Sequence, residues 1–431
     1  MLRRVAASVA VASLALPFNV GAQTSAPSSR ASACAVHELS REPLVIHERT
    51  YVYVEADAFV ADPQGNTLLA GTPNSLTRMN ADGAVTAVVD DSVFGVVIPR
   101  TGRARLVPRP IPGNAKLDGI RLVARPKGGW AVSFAEVEPS QGSASADSTV
   151  RLWYGNYDGA RWTSLEELPL PHSGTVDSRW ASSLVNHGDT VSWAMTLRTA
   201  AGPQIVLFER RGGRWSHESI PTFHSQVELG RTDALGLALL VVQPHSAPGE
   251  RFDANSLVLW ARRPEWQVVR RLVHGSAKGR VYHPKATVTA DGAALAWETP
   301  SASPGRRGTE LRAMFGRWED STVQPVVLDS AVSGLQGYSD AVPVRSGGRV
   351  WVTLHTTEDR TRSSLRYLQS FGGSAVTVGE VANPYLGFIA ATAPRPMQVL
   401  VTGLQHIPNR YLVSYLLRAR IDCSGGPVSR P

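Results

Sequence analysis

The chain has 431 residues and a formal net charge of +8, with 44 basic and 36 acidic residues. Only four of the basic residues are lysines, and the arginines are scattered along the chain, so the charge lacks the concentrated patch typical of nucleic-acid binding. We therefore expect no nucleic-acid partner. Beyond the N-terminal region no segment is apolar enough to cross a membrane as a helix.

The N-terminus has the pattern of an export signal. Arg3 and Arg4 precede an apolar run over residues 5–18, which is shorter than the ~20 residues that a spanning helix needs. Small residues before Gln23 fit a cleavage site. We expect residues 1–22 to be a signal peptide, and the mature protein to be periplasmic or extracellular with no transmembrane anchor.

The two ends of the mature chain are polar or rich in small residues. Residues 23–33 contain almost only small and polar side chains, so we expect a disordered segment there. We expect residues 425–431 to form a flexible tail. Residues 34–424 then form a single domain.

A tryptophan repeat marks the middle of the chain. Trp162, Trp215, Trp266 and Trp318 are separated by 53, 51 and 52 residues, and each follows an apolar run and a short turn. A second repeat precedes each of them, a glycine turn followed by alternating apolar residues, which indicates a β-hairpin. Two hairpins give four strands, A to D, in units of about 40–50 residues, which are typical of propeller blades. We expect the tryptophans to pack between blades.

These units predict an all-β fold: a seven-bladed β-propeller of four-stranded antiparallel blades, the first ending near Val88. The last blade begins near Tyr385 and has only three strands. A strand over residues 42–50 would supply the fourth by pairing with residues 410–421, so that the N-terminal strand closes the ring in the last blade. Closure also removes an open sheet edge, which invites aggregation.

Two cysteines, Cys34 and Cys423, lie near the two ends of this domain. An even number of cysteines in an exported protein favours a disulfide. Here the bond would stand in for the turn that joins strands C and D in the other blades. The alternatives are a lipid anchor on Cys34 and two unrelated thiols.

With this blade pattern the chain resembles secreted bacterial β-propellers of the sialidase-like superfamily, whose blades carry Asp-box turns. The resemblance rests on a degenerate box, Asn156-Tyr157-Asp158-Gly159-Ala160-Arg161-Trp162. It implies the propeller fold, and the box implies a structural turn without activity. The family's enzymes use an arginine triad introduced by an Arg-Ile-Pro segment and a Tyr–Glu pair. Here the arginine follows Ile-Pro, in Val97-Ile98-Pro99-Arg100, so the resemblance does not extend to sialidase activity.

Strand direction predicts the functional face. Because strands A and C run opposite to B and D, the D–A and B–C connections share one face, and several B–C connections are long and polar. On that face the start of each A strand would line the mouth of a central channel. The candidate ligand-binding residues there are Glu55, Asp118, Asp177, Trp180, His224, His283, Tyr338, Asp340 and Tyr385.

These side chains could bind a sugar, a polar headgroup or a cation, which leaves metal binding open. The plain alternative is a water-filled channel with satisfied polar rims. Trp180 could instead offer an aromatic platform to a sugar.

Two functions fit this arrangement. We favour an exported propeller that binds a glycan, peptide or envelope protein on the D–A and B–C face without catalysis, as a monomer and without a cofactor. The alternative is a glycan-active hydrolase or lyase using channel-mouth carboxylates, such as Asp118 with Asp177 or Glu55 with Asp340, at a separation of ~5–9.5 Å for hydrolysis. Binding is favoured because no recognised catalytic motif occurs in the sequence.

Overall fold

The structure is a computed structural model that describes much of the chain between Cys34 and Cys423. The connections outside the described residues are 48–49, 55–57, 72–73, 80–84, 90–91, 114, 138–149, 171–174, 177–181, 188–189, 200–201, 221–226, 233–235, 246–253, 263, 274–281, 290–291, 301–308, 318–325, 332–339, 347–348, 360–361, 370–374, 383–385, 396–397 and 407–413. The predicted signal peptide, disordered segment and C-terminal tail also lie outside them. The regular secondary structure of the described residues consists of β-strands alone. These residues include no helix that is long and apolar enough to cross a membrane.

The N-terminal quarter contains nine strands. They are β1 (Cys34–Pro43), β2 (Val45–His47), β3 (Thr50–Val54), β4 (Ala58–Ala61), β5 (Thr67–Ala70), β6 (Asn74–Met79), β7 (Val85–Val89), β8 (Val93–Ile98) and β9 (Arg105–Pro108).

The middle of the chain contains thirteen strands. They are β10 (Lys116–Ala124), β11 (Trp130–Val137), β12 (Val150–Tyr157), β13 (Trp162–Leu168), β14 (Thr175–Val176), β15 (Ser182–His187), β16 (Thr190–Thr199), β17 (Gly202–Arg211), β18 (Arg214–Ile220), β19 (Val227–Thr232), β20 (Gly236–His245), β21 (Ala254–Arg262) and β22 (Trp266–Val273).

The C-terminal part repeats the same organisation. Its strands are β23 (Tyr282–Thr289), β24 (Gly292–Pro300), β25 (Thr309–Arg317), β26 (Val326–Ala331), β27 (Asp340–Ser346), β28 (Arg349–Asp359), β29 (Arg362–Gln369), β30 (Ala375–Ala382), β31 (Leu386–Arg395), β32 (Gln398–His406) and β33 (Ser414–Cys423).

The described strands form eight antiparallel sheets. We number seven of them along the chain: sheet 1 (β4, β5, β8, β9), sheet 2 (β10–β13), sheet 3 (β14–β18), sheet 4 (β19–β22), sheet 5 (β23–β26), sheet 6 (β27–β30) and sheet 7 (β31–β33 with β1). Six have four strands and sheet 3 has five, because β14 and β15 both pair with β16. The predicted all-β architecture of four-stranded antiparallel units is confirmed at this level, and such units are consistent with propeller blades.

The eighth sheet corrects the prediction for the first blade. Strands β6 and β7, which end near Val88, pair with β3 and not with the hairpin β4–β5. The partner of β5 is β8. All six residues of β8, Val93–Ile98, are buried. A strand buried on both faces suits the interior of a sheet, and this explains why the chain returns there after making β6 and β7.

Sheet 7 contains the N-terminal strand, but with different bounds from those predicted. Strand β1 pairs antiparallel with β33, with Cys34 opposite Cys423 and Pro43 opposite Tyr415. The predicted strand over residues 42–50 is therefore wrong, because residues 45–47 form β2 beside β3. Leu44, an apolar residue of this segment, is fully buried in a core cluster with side chains of sheets 1 and 7.

The first strands of successive sheets contact one another. Strand β4 contacts β10, and the contacts continue through β15, β19, β23 and β27 to β31. Strand β31 in turn contacts β4. These seven strands therefore form one series of neighbours.

The repeated tryptophans join neighbouring sheets, as expected. The three repeat tryptophans that the structure describes each donate the indole N–H to the outer strand of the preceding sheet. The Nε1 atom of Trp162 lies 3.0 Å from the carbonyl oxygen of Pro108, that of Trp215 lies 3.0 Å from Glu166 Oε2, and that of Trp266 lies 3.2 Å from Glu218 Oε1. Trp318 lies outside the described residues.

Arginines strengthen two of these junctions. Arg210 makes a bidentate pair with Glu166, at 3.0 and 2.7 Å, and Arg262 Nη1 lies 2.6 Å from Glu218 Oε1. Each carboxylate thus accepts from both the arginine and the tryptophan of the next sheet. Since two-donor arginine contacts add geometric specificity, these clamps fix how sheets 2, 3 and 4 pack.

Candidate functional site

Three of the predicted mouth residues lie at the starts of first strands. Asp118 is the third residue of β10, His283 is the second of β23, and Asp340 is the first of β27. The other six predicted positions lie outside the described residues: Glu55, Asp177, Trp180, His224, Tyr338 and Tyr385.

Asp118 sits at a β-bulge in β10, where the register shifts between Asp118 and Arg121. Its carboxylate accepts from the backbone N–H of Gly119 at 2.9 Å and pairs with Lys116 Nζ at 3.1 Å. Gly119 has a φ of +60°, a conformation that other residues rarely adopt. With 21% of its side chain exposed, Asp118 is held by its neighbours and still reaches solvent.

A cleft of about 350 Å³ lies between sheets 2 and 3, within the size range of small-ligand sites. It is lined by Arg125, Tyr154, Asn156, Asn186, Val191, Arg210, Gly212 and Gly213. These residues lie at or next to the A–B and C–D turns, at the opposite end of the strands from Asp118. This cleft is not predictable from the sequence, because its residues belong to ordinary turns and strand ends far apart in the chain.

Most polar groups of the cleft are engaged with one another. The hydroxyl of Tyr154 donates to Asn156 Oδ1 at 3.2 Å, and Asn156 Nδ2 donates to Ser164 Oγ at 2.8 Å. The ring of Tyr154 meets Trp215 edge-on, with centroids 5.3 Å apart. These contacts make the wall from sheet 2 a fixed surface.

The phenol of Tyr154 stays protonated near neutral pH. Burial raises the pKa of Tyr154 above its ordinary value, although the hydrogen bond to Asn156 and the charges of Arg210 and Arg125 oppose that rise. Its O–H therefore remains a hydrogen-bond donor to Asn156, and its oxygen keeps acceptor capacity toward the cleft.

Two polar groups in the cleft have no partner among the described residues. The guanidinium of Arg125 is half-buried, and no carboxylate in the described part of the chain pairs with it. Asn186 Oδ1 is buried and accepts no hydrogen bond from any described group.

The described residues contain no group of three or more His, Cys, Asp or Glu side chains arranged to hold a metal ion.

No family model and no curated protein sequence matches the chain. Among solved structures, it resembles a protein of unknown function from Dyadobacter fermentans, with 11% identity and a TM-score of 0.46 over 90% of this chain and 100% of that one. It also resembles polysaccharide lyase Uly1, with 10% identity and a TM-score of 0.44 over 87% and 90%. A third similar structure is a thermostable family-43 glycoside hydrolase. It has 8% sequence identity and a TM-score of 0.35, with 58% of this chain and 94% of that one covered. Likenesses this weak carry no argument about function.

Proposed function

We propose that this protein is an exported, monomeric binding protein, built as a closed seven-bladed propeller, that holds a polar partner at its channel mouth without catalysis. The partner is a glycan, a peptide or an envelope protein. The observation that supports this proposal is the series of contacts among first strands, because β10, β23 and β27 all belong to it. In a closed propeller the starts of these strands would lie at one end of a common axis. Asp118, His283 and Asp340 lie at those starts.

Contacts between sheets 7 and 1 support the closed ring. Strand β31 contacts β4, and Arg418 Nη1 of sheet 7 donates to the carbonyl oxygen of Arg100 at 3.0 Å. Leu416 of sheet 7 is buried in the same cluster as Phe59 and Ile98 of sheet 1. With these contacts, sheets 1 to 7 would form one uninterrupted circle.

A disulfide between Cys34 and Cys423 is the second part of this proposal. The two residues are direct partners in the antiparallel pair of β1 and β33. Direct partners have Cα atoms about 4.5–5.5 Å apart, which falls within the range of about 4.4–6.8 Å that disulfides require. The bond would fasten the N-terminal strand to the last sheet.

The mouth is tested by changing two of its residues together. We expect wild-type protein to be retained on an array of immobilised neutral, uronic and sulfated polysaccharides, and the variant Asp118→Asn with His283→Ala to lose at least tenfold in apparent affinity. The reason is that both substitutions remove polar groups from the same end of the axis. The Asp118 side chain is 21% exposed, and substitutions outside a packed core usually change the free energy of unfolding by only about 0.5 kcal/mol.

Glu167→Gln is the control, because it removes an exposed carboxylate from the outer strand β13. Unchanged retention of the double variant would contradict the proposed site. Shortened polysaccharide chains after incubation would contradict binding without catalysis and favour the hydrolase or lyase. Retention of no polysaccharide would contradict a glycan partner.

A further inference from the structure

We propose that the cleft between sheets 2 and 3 is a second binding site, for a carboxylate that carries neighbouring hydroxyl groups, the chemistry of a sugar acid. The site is separate from the channel mouth. Arg125 follows the last residue of β10 and lies seven residues beyond Asp118, which is roughly 20 Å along a strand. This inference does not depend on the proposed function.

The charge of the cleft is the first argument. Two arginines line it, but the charge of Arg210 is neutralised by its bidentate pair with Glu166. Arg125 has no such partner among the described residues, and its charge lowers the pKa of Tyr154 on the same wall of the cleft. A planar guanidinium with an uncommitted fork of N–H donors is matched in geometry by a carboxylate.

The unpaired oxygen of Asn186 is the second argument. A buried carbonyl oxygen without a donor is unfavourable, and Asn186 Oδ1 has none among the described groups. An anion alone offers no hydrogen to it. A hydroxyl group on the same ligand does, so a hydroxylated acid satisfies both Arg125 and Asn186.

The shape of the cleft is the third argument. Gly212 and Gly213 form the two-residue turn between β17 and β18, with φ values of 55° and 80°. Two positive φ values define a type I′ hairpin turn, which glycine adopts most readily. A side chain at either position would project into open space. The Gly-Gly turn therefore leaves that rim of the cleft without side chains, and a monosaccharide could enter there.

The test uses glucuronate, acetate and glucose as probes of the mature protein, titrated by calorimetry or by NMR chemical shifts. Glucuronate should bind most tightly, acetate at least threefold more weakly and glucose at least tenfold more weakly. Arg125→Gln should weaken glucuronate binding at least tenfold, since the charge partner is lost. Asn186→Ala should weaken the binding of glucuronate but leave the binding of acetate unchanged, since acetate has no hydroxyl group.

Arg161→Gln is the matched control for charge. It removes an arginine from the turn between β12 and β13, where 83% of its side chain is exposed, and it should leave glucuronate affinity unchanged. Equal glucuronate affinity in Arg125→Gln and wild type would overturn the proposal, and acetate binding as tightly as glucuronate would overturn the role of the hydroxyl. The variant Asp118→Asn with His283→Ala should still bind glucuronate. If it does not while Arg125→Gln does, the sugar acid binds at the mouth and the cleft assignment is wrong.

Discussion

Trp130→Ala is expected to lower the free energy of unfolding by about 4 kcal/mol, the usual loss for a large aromatic side chain in a core. Trp130 opens β11 and is fully buried. It packs in a cluster that joins sheets 1 and 2, together with Phe94 and Phe134. Its Nε1 also donates to the carbonyl oxygen of Val60 at 2.9 Å. The substitution therefore leaves a cavity at a sheet junction and an acceptor without its donor.

Urea unfolding followed by circular dichroism measures this loss. The urea midpoint of Trp130→Phe should lie between those of the wild type and Trp130→Ala, because phenylalanine keeps much of the packing but loses the hydrogen bond. Val268→Ala is the control, since Val268 is 44% exposed and its truncation should change stability by no more than about 0.5 kcal/mol. A Trp130→Ala midpoint as close to wild type as that of Val268→Ala would refute the junction.

Asp62→Ala is expected to lower the free energy of unfolding by about 3 kcal/mol, because a buried charged acceptor leaves its donors unpaired when it is removed. Asp62 is 1% exposed. Its Oδ1 accepts from the backbone N–H groups of Gln64 and Asn66, both at 2.9 Å. Its Oδ2 accepts from Asn66 Nδ2 at 3.1 Å and from the N–H of Gly129 in sheet 2 at 3.2 Å. One carboxylate thus shapes the β4–β5 turn and ties it to the β10–β11 turn.

Asp158→Ala provides a matched comparison. Asp158 Oδ1 accepts from the N–H groups of Ala160 and Arg161, both at 2.8 Å, so the local turn is alike. However, Asp158 is exposed, and water can replace its carboxylate. A thermal melt should show a clearly larger loss for Asp62→Ala than for Asp158→Ala, and equal losses would contradict the role of the contact with Gly129.

Much of the strand organisation could be predicted from the sequence, because glycine turns and alternating apolar residues are local signals. Trp130 follows such a turn and begins β11. The pairing partners were harder to predict, since partner choice depends on residues distant in the chain. The hairpin β6–β7 has a clear strand pattern but joins β3. Strand β1 is largely polar and gives little periodic signal, so the closing strand was placed several residues too late.

The candidate sites also differ in how far local sequence signals reveal them. Counting back from the glycine turns led to Asp118, which is the third residue of β10. The cleft between sheets 2 and 3 could not be found by counting, because Arg125 and Asn186 meet only when two sheets pack. A single arginine after a strand and a single asparagine at the end of another are too common to signal a site.

The two ends of the domain meet in one sheet, where Cys34 lies opposite Cys423, and we expect this pairing to close the ring. This pairing can be tested by alkylating the folded protein and then mapping its peptides without reduction. We expect one crosslinked pair of peptides, containing Cys34 and Cys423, with neither cysteine alkylated. Free and rapid alkylation of both thiols in the folded protein would contradict it.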